Sequence, residues 1–112
     1  MTQQGLYTLL SSTGIATCYQ SWKASGITET TELPALPWIC YLFVDNDGTE
    51  AADNKVHQKV NNYLVELYTN KKDIASEELL EDALDSASIF YNKAETYIED
   101  QALFEVAYSI QI

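Results

Sequence analysis

The 112-residue chain contains no arginine, one histidine, two cysteines, four glycines and two prolines. Each scarcity closes a class of function. Arginine is the side chain that forks onto phosphates and guanine edges, so its absence counts against nucleic-acid binding. Seventeen acids against six lysines leave a net charge of −11, which repels DNA and anionic membranes. Cys18 and Cys40 do not form a Cys-x-x-Cys pair, and with His57 alone they cannot complete a zinc set without carboxylates. Both fall inside predicted strands and are expected as buried free thiols. Neither Gly-x-Gly-x-x-Gly nor Gly-x-x-x-x-Gly-Lys occurs, so nucleotide binding has no support. There is no Gly-x-Ser-x-Gly elbow, and neither cysteine carries a nucleophile signature. His57, beside lysines in a predicted strand, is expected at a surface or interface. The sequence therefore predicts no catalytic residue and no metal, nucleotide or haem.

Long apolar runs are missing too. None approaches the roughly 18 residues of a membrane-spanning helix. The start, Met1-Thr2-Gln3-Gln4, lacks the basic and apolar regions of a signal peptide. These readings predict a protein made in a cytoplasm and remaining soluble. Hydrophobic residues make up 46% of the chain, too many for disorder. The length predicts one domain over residues 1–112, large enough to fold without staples. The plainest role of the charge is solubility; sharper roles are a basic partner surface or DNA mimicry.

What is present is an alternation of strand and helix patterns. Leu6, Leu9, Leu10 and Thr13 predict a helix over residues 3–13, with Gly14 as its C-cap. Ile15 to Gln20 reads as a strand, and Ser21 to Pro37 as a long polar loop. Trp38 to Val44 is apolar on both faces. Trp38, Cys40, Leu42 and Val44 share one, and Ile39, Tyr41 and Phe43 the other, as in a strand covered on both sides. Asp45-Asn46-Asp47-Gly48 resembles part of a calcium loop, but its first and twelfth ligands would be Phe43 and Asn54. It is expected to be a turn that ends the strand, followed by an acidic loop to Asn54.

Lys55 to Thr69 predicts a long strand with Val56, Val60, Tyr63, Val65 and Leu67 inward and a bulge near Asn61-Asn62. Asp73 is a natural N-cap for a helix over residues 73–87. Leu80, Ala83, Leu84 and Ala87 form its apolar stripe. Glu77, Glu81 and Asp85 form a second stripe and Glu78 with Asp82 a third, both expected to be solvated. Ile89 to Ile98 and Leu103 to Ile112 close as strands. The fold class is α+β, in the order α-β-β-β-α-β-β. About five strands form an antiparallel sheet, a mixed one also being admitted, with two helices on one face. Tyr41, Tyr68, Tyr91 and Tyr97 are expected on strand faces beyond the helices' reach. There, burial by another subunit is favoured slightly over ordinary sheet packing.

The stretches Ala52-Asp53-Asn54-Lys55-Val56, Asn62-Tyr63-Leu64-Val65-Glu66-Leu67-Tyr68-Thr69-Asn70-Lys71-Lys72-Asp73 and Glu95-Thr96-Tyr97-Ile98-Glu99 resemble small proteins of phages and prophages of Gram-positive bacteria. Tyr7-Thr8-Leu9-Leu10, Gly14-Ile15 and the run near Pro37 agree with that resemblance. Such proteins are encoded with the head-tail connector genes, before the major tail protein. In size and element order they are similar to tail terminator (tail completion, tail-to-head joining) proteins of long-tailed phages. The resemblance implies an α+β neck protein of the virion, forming a hexameric ring that ends the tail tube and docks the head connector or stopper. It implies no enzyme. Its partners would be copies of itself, the major tail tube protein and the head connector, with genomic DNA passing through unbound and no membrane.

Host cytoplasm during assembly and the head-proximal end of the tail are the implied locations. Asp45, Asp47, Glu50, Asp53, Trp22 and Tyr68 are the candidate partner or lumen contacts. The loops Ser21 to Glu32 and Asp45 to Asp53 are expected to carry contacts rather than core. The alternative is an acidic DNA-mimic inhibitor of a host DNA-binding protein.

Overall fold

The computed structural model describes residues 1–52 and 55–112, and side chains outside residues 48–59. The elements are α1 (Gln3–Ser11), β1 (Ala16–Tyr19), β2 (Trp38–Ala52), β3 (Lys55–Thr69), α2 (Ile74–Ser86), β4 (Tyr91–Ile98) and β5 (Leu103–Gln111). Five strands form one sheet in the order β1-β2-β3-β5-β4. The class is α+β and the element order is the expected one.

The sheet is mixed. β1 runs parallel to β2, while the other three pairs are antiparallel. A parallel neighbour needs a long return connection, and residues 20–37 supply it. They form the expected loop, broken by one 3₁₀ turn at Thr30–Glu32.

Both helices pack on one face. Leu6 and Leu10 of α1 and Leu80 and Leu84 of α2 are fully buried against Ile39, Tyr41, Tyr63, Val65, Leu67, Val106, Tyr108 and Ile110. Alternation along each strand sends these residues inward and their neighbours to the far face. Capping fixes where the helices begin. The Thr2 hydroxyl accepts from the Gly5 N–H, and the Asp73 carboxylate accepts from the Ser76 N–H at 3.1 Å. α1 ends earlier than predicted, at Ser11 with Ser12 as its C-cap. Gly14 takes its left-handed conformation (φ +82°) two residues later, where the chain turns into β1.

Four expectations need correction. First, Asp45-Asn46-Asp47-Gly48 does not end β2, which continues to Ala52. Long-range pairing overrides the turn composition, since β3 supplies partners from Asn62 to Lys55. Register shifts between Phe43 and Asp45, Asn46 and Thr49, and Thr49 and Ala51 absorb the extra residues. The bulge expected near Asn61-Asn62 is therefore found opposite them, on β2.

Second, Tyr41 and Tyr91 lie on the helix side: Tyr41 pairs across with Val65 and Tyr91 with Ile110. Tyr97 is on that face too, its ring tilted against Phe104 at a centroid separation of 4.8 Å. Of the four tyrosines only Tyr68 is on the far face. Third, Glu77 is not solvated but 4% exposed. Fourth, β4 begins at Tyr91 rather than Ile89; Ile89 is buried below the turn that leads into it.

Candidate functional site

Trp22, Trp38 and Tyr68 form a line on the far face. Trp38 pairs with Tyr68 across β2 and β3. The long loop brings the Trp22 ring edge-on to Trp38, at 6.1 Å between centroids. The Trp22 indole nitrogen is buried and meets no acceptor among the described residues. Of the residues on β2's far side, Cys40 is buried while Trp38 and Leu42 are half-buried. The double burial expected of Trp38 to Val44 is therefore partial, because both helices of the described residues lie on the other face. At its end, Phe43 and Val44 are exposed.

Tyr68 reaches along its own strand and donates its hydroxyl to Glu66 at 3.0 Å. Burial pushes the Glu66 carboxyl above its ordinary range; the Tyr68 hydroxyl pulls against that, and the charge of nearby Glu105 adds to it. The Tyr68 phenol is raised by burial and then by the two carboxylates. The arrangement holds two acids close together on a half-buried apolar surface, with no lysine among the described groups that act on Glu66.

The edge of this face carries Cys18 beside Cys40, paired in register with sulfurs 3.5 Å apart and not bonded. The Cys40 thiol is raised by its hydrogen bond with Cys18 and by burial. The free-thiol expectation holds for both. Cys18 opens onto a shallow recess of about 440 Å³ at the β1 edge, shared with Tyr7, Tyr19, Trp22 and Tyr41.

At the root of the β2–β3 hairpin, Asp45 and Asp47 are brought together, as their spacing on one strand face allows. Asn62 donates to Asp45 at 2.7 Å and to Asp47 at 2.9 Å, and Gln111 donates to Asp47 at 3.0 Å. Two carboxylates held by neutral amides present an acidic, hydrogen-bonded surface. A groove of about 580 Å³ runs from here, past Leu64 and Ser109, to Phe90 and Asn92. Of the other candidates, Glu50 lies within β2 with its side chain outside the described residues, as is the side chain of His57; Asp53 lies outside them altogether.

One constellation was not legible as such. Glu77 is buried between Lys72 (2.7 Å) and Lys93 (2.8 Å), and Lys93 also meets Glu81 at 2.7 Å. Tyr108 donates to Glu81 at 2.7 Å and Tyr91 does so at 3.2 Å. Burial pushes both carboxyls up, but the lysines outweigh it and hold Glu77 and Glu81 below the carboxylate range. Glu77 first and then Glu81 raise Lys93. Each carboxylate in this cluster has a lysine counter-charge, so the cluster fastens α2 to β4 and β5.

Among the described residues no group of three metal-ligating side chains converges, and no helix is long and apolar enough to cross a membrane. No protein-family model matches the chain, and no curated protein matches it.

Proposed function

We propose that this chain is a structural subunit of a phage virion: a tail terminator that forms a ring at the head-proximal end of the tail tube, caps the last tube layer and docks to the head connector. It is read as a non-enzymatic protein, working by surface complementarity. The observation that carries the reading is the shape of the β2–β3 hairpin. β5 follows β3 only to Asn62, with a last backbone pair between Ile112 and Asn61. Beyond that point, among the described residues, Thr49 to Ala52 and Lys55 to Lys59 pair only with each other. The molecule is correspondingly long, 54 × 29 × 26 Å. A two-stranded ribbon is marginal by itself in water. An arm of this length gains a use, and a stabilising surface, when it meets another subunit.

The acids suit that role. Asp45 and Asp47 stand at the arm's root, Glu50 is on the arm, and Asp53 is at its far end in sequence. Carboxylates turned to a ring's lumen repel DNA and let a genome slide through without sticking. Major tail tube protein and head connector are then the partners, six-fold symmetry the expected ring order, and host cytoplasm the place of assembly. Removing the gene from the encoding phage tests this. Tails of uncontrolled length beside unjoined heads support the reading, and normal tails on filled heads oppose it.

A second reading has its own observation. Glu78, Asp82 and Asp85 are exposed on α2, and none takes part in the ion pairs of the described residues, which use Glu77, Glu81 and Glu95. A row of free carboxylates can imitate a phosphate backbone to a basic host protein. That protein would bind a monomer or dimer, with an affinity that falls steeply in salt.

A further inference from the structure

Phe90 is 92% exposed, on the turn before β4. A phenyl ring held in water at the edge of a sheet has nothing to gain there from its own domain. At the opposite edge of the same sheet, the β1 recess is walled by Tyr7, Tyr19, Trp22 and Tyr41. An apolar knob at one edge and an aromatic recess at the other are the two halves of a heterologous contact.

Charge permits close approach at both places. In a chain with 17 acids, residues 88–92 carry no acid and no lysine, and neither do the residues lining the recess. Copies of a protein at −11 repel each other least where such neutral patches meet. Beside the knob Glu81 and Asp85 act electrostatically on Tyr91, with Lys93 opposing them, and beside the recess exposed Lys23 follows Trp22. The heights are close as well. The register row through Tyr19 runs by Tyr41, Val65 and Tyr108 to Lys93, three residues beyond Phe90. That is an offset of roughly 10 Å along the strands.

We infer that copies of this chain join head to tail, the Phe90 ring of one copy seating in the Tyr19–Trp22–Tyr41 recess of the next. Because knob and recess lie on opposite edges, the contact repeats from copy to copy and closes into a ring where the rotation permits. The inference rests on the ring reading above and assigns its subunit interface.

Two variants of the full chain test it by sedimentation velocity, in concentrated sodium sulfate, which screens the charge and strengthens apolar association. Phe90→Asp removes the knob. Gln4→Trp, at an exposed α1 position lining the recess, fills the recess. Circular dichroism and thermal melting of each should match the unaltered protein. The unaltered chain should form species larger than a dimer, and each variant alone should remain monomeric. An equal mixture should form a dimer and nothing larger, since it retains one good knob and one good recess. The inference is overturned if the unaltered chain stays monomeric, if either variant assembles alone, or if the mixture forms no dimer. A symmetric Phe90-to-Phe90 contact would show itself by assembly of Gln4→Trp alone. The outcomes separate from those of the tail reading. If the mixed dimer forms but virions lack the protein, the contact stands without the tail. If Phe90→Asp enters a ring at the top of the tail, the tail reading stands without this contact.

Discussion

On the helix-covered face of the sheet, Glu77 is buried between Lys72 and Lys93, and Glu81 is held by Lys93, Tyr91 and Tyr108. On the far face, Glu66 has the Tyr68 hydroxyl and, close by, the like charge of Glu105. The covered face spends two of six lysines on fixing its acids. The far face leaves Glu66 beside the like charge of Glu105. A surface finished for its own domain satisfies its charges internally. On the proposed reading, a half-buried apolar surface with Trp22, Trp38 and the two neighbouring carboxylates is one that another subunit would complete.

Truncating the core should show the largest difference between the faces. Leu84→Ala, at a fully buried site, is expected to cost about 2–5 kcal/mol in urea unfolding, from lost burial plus the cavity left behind. Leu42→Ala, half-buried on the far face, should cost less than half as much. Equal losses would mean that the far face is as much a core as the covered one.

Charge removal comes next, and its sign should differ between the faces. Glu77→Gln leaves Lys72 and Lys93 facing a neutral amide. It should cost about 1–3 kcal/mol at neutral pH, the upper range for buried pairs being discounted because both lysines are more than a third exposed. Glu77 and Glu81 are depressed in the folded state. Their contribution is present above the unfolded carboxylate range and lost as pH falls through their folded values. Acidification should therefore weaken the unaltered protein more than Glu77→Gln.

Glu66 is raised in the folded state, so its linkage runs the other way. Its contribution is present below the unfolded carboxylate range and lost as pH rises through the folded value. Glu66→Gln should accordingly stabilise the protein at neutral pH, with the gain vanishing in acid. Melts of this variant across pH that showed a loss at neutral pH would undo the contrast. The smallest effect belongs to Phe90→Asp, within about 0.5 kcal/mol on the monomer, as for an exposed position.

How far the sequence disclosed these faces depended on the range of the interaction that decides each element. β3 begins and ends where its pattern predicts, because its alternating side chains and the Asn70-to-Asp73 break are local signals. Asp73 capping α2 is local as well. β2 was misjudged after Val44. Asp-Asn-Asp-Gly favours a turn locally, and only pairing with the far half of β3 holds it extended. Glu77 looked solvated because its helical neighbours Glu81 and Asp85 are acidic; its partner Lys93 comes from a strand that folds back over the helix. Trp22 was a legible contact candidate. The recess it lines was not, since α1, β1 and the long loop meet there only in three dimensions.

The central claim is the proposal that the far face, the arm and the sheet edges serve assembly at the top of a tail, and imaging of intact virions assembled with this chain tests it most directly. The account predicts a single ring of this chain between tail tube and head connector, with the β2–β3 arms touching neighbouring subunits. Virions that lack the protein, or a neck with no ring of it, would contradict the account and leave the acidic α2 surface and its basic host partner as the better reading.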